Sequence, residues 1–218
     1  MTTPPPGLRE RKKRATREAL RGAALRLALE RGPDEVRVED IAEAAGVSPR
    51  TYNNYFASRE QAIVSAVTAD REERIAAAVA ARPAGVRLAD AVTEAVVEQY
   101  THTGEGGHGA LLLITTRTAL RDAFLAATAG IELPLGAVIA ERLGHAGEHT
   151  ARVLAASVAA AVRIALDDWL RPAGYEGATG SPGTGGLVVP SGPLPDRLRA
   201  ALLPLAPAFD AAERPVQA

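Results

Sequence analysis

The chain has 218 residues, a formal net charge of −1, and 47% apolar residues against only 4% aromatic ones. That length allows one ordinary domain or two small ones, with a core of Ala, Leu and Val that favours closely packed helices. The sequence has no cysteine, which removes disulfides, thiolate metal sites and cysteine nucleophiles together and fits a cytoplasmic location. No uninterrupted apolar run of about twenty residues is found for a membrane span, and the N-terminus lacks the apolar segment of a secretory signal, so no membrane partner is expected.

Residues 1–8 are proline-rich and read as a disordered tail. Arg9, Arg11, Lys12, Lys13, Arg14, Arg17 and Arg21 then crowd one segment, with only Glu10 and Glu18 against them. Such a run is most often simply solvated. Ahead of the motif that follows it, it is placed to rest on phosphates, positioning the protein without reading sequence. Leu20, Ala23, Ala24, Leu27 and Ala28 mark the core stripe of a first helix, which Gly32 and Pro33 end.

Residues 36–61, VRVEDIAEAAGVSPRTYNNYFASREQ, carry the most specific pattern. Val38, Ile41, Ala42 and Ala45 form one apolar stripe over acidic Glu39, Asp40 and Glu43. Gly46 stops that helix, because a C-terminal left-handed residue is free of steric cost only in glycine, and Val47 is the buried step of the turn. Ser48 caps a new helix and Pro49 is preset for its first position. Along it Tyr52 and Phe56 face inward, while Pro49, Arg50, Asn53 and Asn54 face out. This is the pattern of a helix-turn-helix, whose second helix enters the major groove. A buried helical hairpin is the bland alternative, but it gives no reason to gather on one face the side chains that pair with guanine and adenine. Arg50 and Asn53 are the predicted base readers, helped by Asn54. Ser48, Thr51 and Tyr55, with Lys12, Lys13 and Arg14, are the predicted phosphate contacts.

The run GVSPRTYNNYFASREQ resembles the recognition element of the TetR (tetracycline-repressor-like) transcriptional regulators, and TREALRGAALRLALERGPDEVRVEDIAEAAG resembles that family's first two helices. The resemblance is specific over residues 14–63. It implies an all-α fold: a three-helix DNA-binding head at 9–60, then a helical ligand-binding and dimerisation bundle at 61–218. It also implies a homodimeric repressor released from a double-stranded DNA operator by a small-molecule effector. Arg59 stands where the family often has a phosphate-contacting lysine. Three positions depart from the family. Arg37 replaces a capping threonine, Tyr52 a leucine, and Asn53 a tyrosine that commonly contacts the DNA backbone, so no relative's operator transfers.

Ser58 and Gln61 form a capping-box pattern opening a fourth helix that is expected to run to about residue 81 and serve as a lever. Leu88 to Gln99 positions mark a fifth helix, GEGGHG at 104–109 a loop, and 110–128 one or two further helices. Tyr100, Arg117, Phe124 and Trp169, the few large or polar groups in this body, are the candidate wall of an effector pocket. Helices at 133–143 and 148–170 follow. The segment 155–166, AASVAAAVRIAL, is small nearly all round and suits close helix packing, so Val158, Ala159 and Val162 are the candidate dimer contacts. Residues 172–195 read as a Gly/Pro-rich linker, and a last short helix runs from 196 to about 203, limited by Pro204 and Pro207.

His145, Glu148 and His149 spell H-x-x-E-H, a zinc-protease pattern that requires a continuous helix, which Gly144 and Gly147 interrupt. No Ser/His/Asp set, phosphate loop or carboxylate pair appears. The sequence therefore reads as a DNA-binding regulator without metal, cofactor or enzymatic activity. A helical enzyme or metal-binding protein with a non-DNA-binding hairpin is the alternative.

Overall fold

The computed structural model describes residues 7–68, 70–101, 107–144, 147–170 and 192–214. Among them every regular element is helical. The chain divides into two compact units, residues 1–69 with 106–124, and residues 70–105 with 125–218. The expected boundary at residue 60 thus falls inside the first unit's chain.

The first unit opens with α1 (Leu8–Arg31). Its leading residues as far as Ala19 are exposed or half-exposed on every side, so the basic run is a solvated helical arm rather than a tail. Leu20, Ala23, Ala24, Leu27 and Ala28 are buried, as their spacing predicts. A 3-10 turn, Pro33–Glu35, leads to α2 (Val38–Ala44) and α3 (Pro49–Asn53). In α2 only Ile41 and Ala42 are buried, because the helix stops one residue before Ala45; Val36, ahead of it, is fully enclosed. Val47 is half-exposed rather than buried. The turn itself is closed by Gly46 N–H to the Glu43 carbonyl and Val47 N–H to the Ala42 carbonyl, both 2.9 Å. Gly46 has φ +69°, the left-handed geometry that this C-terminal motif requires. The unit is completed by α4 (Arg59–Thr68), α7 (Gly107–Thr116) and most of α8 (Thr118–Ala126); α1 packs on α2, α4 and α7. Gly107, His108 and Gly109 are therefore helical, whereas 104–106 lie outside the described residues.

In the second unit, α5 (Arg71–Ala81) packs on α6 (Leu88–Thr101) and α9 (Glu132–Leu143), and α10 (Glu148–Leu170) packs on α9 and α11 (Leu194–Leu202). α9 and α10 pack side by side at Gly136 and Ala155, where a Cβ on the glycine would meet the Ala155 Cβ at an ordinary contact distance of 3.6 Å. A final α12 (Ala206–Glu213) follows a 3-10 turn, Leu203–Leu205. It was hidden by Pro204 and Pro207, which here occupy first-turn positions, where the missing N–H costs nothing. α12 is bound to α6. Arg87 holds Asp210 through both carboxylate oxygens at 2.8 and 2.7 Å, and the Glu213 carboxylate accepts the Leu88 N–H at 3.1 Å. The linker reading at 172–195 lies outside the described residues up to 191, and the tail reading does so up to residue 6.

Two expectations need correction, and a third needs an addition. The helix expected to run to residue 81 breaks at Asp70, which has φ 56°, so α4 and α5 are separate. No glycine or proline announces the break, but aspartate tolerates the left-handed region better than most residues. Second, Val158, Ala159 and Val162 are 0, 3 and 0% exposed within their own chain and are unavailable to a partner. The outward face of α10 instead carries Val153 and Ile164, 52 and 51% exposed, with Ala160. Third, Thr118–Leu143 is long and apolar enough, by length and composition alone, to cross a membrane. It is two α-helices on either side of a 3-10 turn, interrupted by Glu132 and Pro134, and its Leu120, Ile131, Leu135 and Ile139 are buried in protein.

Replacing Asp70 with valine, which is strained at positive φ, is expected to lower stability by about 1–3 kcal/mol. Asp70→Gly, which fits that geometry, is expected to change it by less than about 1 kcal/mol. Urea denaturation of the two variants checks both.

Candidate nucleic-acid interface

α3 is only five residues long, so its neighbours must hold it. Ser48 Oγ accepts the Thr51 N–H at 3.2 Å and lies 2.9 Å from Thr51 Oγ1, giving the first turn its cap. Tyr52 is fully buried, with its ring centroid 5.8 Å from that of Phe56. Its hydroxyl donates to the Ser58 carbonyl at 2.8 Å, stapling the end of α3 to the start of α4. The leucine usual in the family resembled above has no such bond to offer. Arg17 of α1 lies over Phe56 at 5.4 Å, a contact worth about 0.5–1 kcal/mol at such sites. Sequence reasoning counted Arg17 only as one basic residue among several.

With Tyr52 and Phe56 turned inward, Ser48, Pro49, Arg50, Asn53 and Asn54 are exposed, and Thr51 and Tyr55 are half-exposed. Arg50 can donate a bidentate pair and the two asparagines can both donate and accept, which is the chemistry base edges require. Lys12, Lys13 and Arg14 are exposed on the arm of α1.

The starts of α2 and α4 are also closed by side chains, the first of them without a usual N-cap residue. At α2 the Arg37 side chain has no acceptor to offer; the Asp40 carboxylate accepts the Arg37 N–H at 3.0 Å instead. At α4, Ser58 Oγ accepts the Gln61 N–H at 3.1 Å, while Gln61 Oε1 reaches one residue further back, to the Ala57 N–H at 2.7 Å.

Arg59, the expected phosphate contact, is engaged within the protein. Its Nη1 donates to the Asp34 and Val36 carbonyls, both at 3.0 Å, and its Nε to Glu60 at 2.7 Å. Burial would raise the Glu60 carboxyl, but its hydrogen bonds to Arg59, to its own backbone and to Ser58, with the Arg59 charge, outweigh that and hold it below its ordinary value.

The four candidate pocket residues are divided between the units. Arg117 is ion-paired with Asp34 at 3.0 Å, and Phe124 is buried in the first unit. In the second, the Arg71 guanidinium lies 4.4 Å from the Tyr100 ring centre, and Trp169 donates its indole N–H to the Gly192 carbonyl at 3.2 Å. None of the four lines the groove of about 530 Å³ along α9 and α10.

This geometry defines a class: a helix-turn-helix head presenting a polar recognition face for duplex DNA. Residues 20–66 match the bacterial regulatory proteins of the tetR family. The chain is 37% identical over 171 residues to the HTH-type transcriptional regulator TcmR of Streptomyces glaucescens, covering 77% of this chain and 69% of that protein. Among solved structures it is similar to FadR of Thermus thermophilus, a TetR-family transcriptional repressor in complex with lauroyl-CoA. The TM-score is 0.47 at 22% identity, covering 87% of this chain and 92% of that one. The protein belongs to the TetR family of bacterial regulatory proteins and is a DNA-binding transcriptional regulator.

Burial, and secondarily Glu60, pushes the Tyr52 phenol from 10.0 up to about 12. A raised folded-state value means that the neutral phenol stabilises the fold fully below pH 10.0 and that this contribution is lost as the pH rises through about 12. In Tyr52→Phe this alkaline loss is expected to diminish, and stability near neutrality to fall by about 0.5–1.5 kcal/mol with the bond to Ser58. Chemical denaturation across the alkaline range checks both.

Proposed function

We propose that this regulator is a cytoplasmic homodimeric repressor that reads an inverted-repeat operator and is released from it by a small-molecule effector. The observation that carries the DNA reading is the outward set Arg50, Asn53 and Asn54 on a helix whose opposite side is locked into the core. Arg50 reads guanine and Asn53 adenine, with Asn54 beside them. Ser48, Pro49, Thr51 and Tyr55 border the backbone, and Lys12, Lys13 and Arg14 on the α1 arm neutralise phosphates. Two such heads related by a two-fold axis read half-sites on one side of the duplex.

The exposed face of α9 and α10 supports the dimer. Leu133 is 87% exposed and Val153 and Ile164 more than half, beside small Ala156 and Ala160. Glu132, Glu141 and Glu148 share the groove there with Arg152, so a two-fold operation on this face sets acids of one copy against a base of the other. For the effector, the support is the helical second unit, whose body is larger than a DNA reader alone needs. Tyr100 and Trp169 remain its candidate wall, and release requires the effector to bind the two states unequally.

Selection of duplexes from a random pool by the purified protein is expected to return an inverted repeat. Against that duplex, Lys13→Ala is expected to weaken all sequences alike and lower the salt slope by about one, while Asn53→Ala flattens preference at one base pair with the slope unchanged. Equal loss for every single-base variant in Asn53→Ala makes Asn53 a backbone contact instead.

For the dimer, Ala160→Glu is expected to give a folded monomer by light scattering and circular dichroism. Ala159→Glu, which forces a carboxylate into the protomer's own core, is expected to prevent folding. A dimeric Ala160→Glu protein would move the interface off this face.

A further inference from the structure

Asp34 is gripped from both ends. Its carboxylate receives Nε of Arg117 at 3.0 Å, from the single residue that separates α7 from α8, and its backbone carbonyl receives Nη1 of Arg59, from the first turn of α4. The same Arg59 nitrogen also holds the Val36 carbonyl at 3.0 Å, and Val36 itself is fully buried. Immediately after it, the Arg37 N–H is taken by Asp40, which starts α2. The strand of backbone from 34 to 37 is therefore the mount from which α2 hangs, and α2 packs on α3. Pro33, Asp34, Arg59, Glu60, Arg117 and Leu120 surround a recess of about 240 Å³ at this point.

Both arginines are already engaged within the protein. Arg59 has two main-chain carbonyls and the Glu60 carboxylate for its donors. A planar guanidinium can hold two carbonyls in fixed directions where a flexible ammonium cannot. We propose that Arg59 and Arg117 are positioning residues for DNA recognition. They act through Asp34, fixing the mount of the helix-turn-helix, and so the pose of Arg50 and Asn53, without touching the duplex. The inference rests on α3 being the DNA reader, and it departs from the phosphate role that the sequence position of Arg59 implies. Arg117 and Asp34 are 48 and 66% exposed, so their pair carries little of the protein's stability.

The experiment uses the full chain and the duplex selected by the wild-type protein, with affinity measured at several salt concentrations and Tm recorded for each variant. Arg59→Lys, which keeps the charge and loses the fork, is expected to bind about tenfold more weakly with the wild-type salt slope. Arg117→Gln and Asp34→Asn are each expected to lose about two- to fivefold, the scale of an exposed ion pair, with Tm nearly unchanged. The double variant is expected to be no weaker than the weaker single, because the two share one interaction. The inference is overturned if Arg59→Lys binds like wild type while Arg59→Gln lowers the slope by about one, which is the signature of a phosphate contact. It is equally overturned if the Arg117 and Asp34 variants bind like wild type, or if their losses add. A wild-type protein that selects no duplex removes the DNA reading of α3, and this inference with it.

Discussion

A five-residue helix has no stability of its own, since nucleation alone costs more than one turn of hydrogen bonds returns. The helix proposed to read DNA is of this kind, so everything about its pose is borrowed. Tyr52 lends it a buried anchor and, through its hydroxyl, a tie to the first residues of α4. Phe56 extends the same apolar side and is covered by Arg17. The Gly46 turn fixes how α3 leaves α2, and the carbonyls held by Arg59 fix where α2 begins. With the inward side so fully committed, Arg50, Asn53 and Asn54 are left exposed on the outward side.

The second unit solves a different problem with different material. With few aromatics available, its helices close on one another through alanine, valine, leucine and isoleucine. α10 buries Ala151, Leu154, Ala155, Val158, Ala159, Ala161, Val162 and Ala165 on a broad face. Small side chains bring helix axes together but supply little area each; the exposed ion pairs Arg87–Asp210 and Arg199–Glu94 link the C-terminal helices to α6 and, like the Arg117–Asp34 pair, add little stability of their own.

What could be read from the sequence was what local chemistry dictates. The α1 stripe, the Gly46 stop, the Ser48–Pro49 start and the sidedness of α3 each follow from residues within one or two turns of one another. The rest depended on distant partners or on an absent signal. Arg59 sits in a first turn where a phosphate contact is a reasonable reading, but its acceptors lie 23 and 25 positions away. Arg117 stood out only as a polar group in an apolar body, and its partner is 83 positions away. A helix that is small all round, like α10, carries no label for which face is inward, so Val158, Ala159 and Val162 were assigned to the wrong side. Asp70 breaks a helix without glycine or proline, and Pro204 and Pro207 open elements they were expected to close.

The carboxylate of Glu213 on the Leu88 N–H spans 125 positions. During synthesis α6 is made early, yet its first turn keeps an open amide until residue 213 has emerged from the ribosome. Contacts of such long range are late to form. The first unit takes its chain from residues up to 124, so all of that unit's own chain is made well before the second unit's is complete. The order of completion within one polypeptide is thus written into which helix borrows its cap from where.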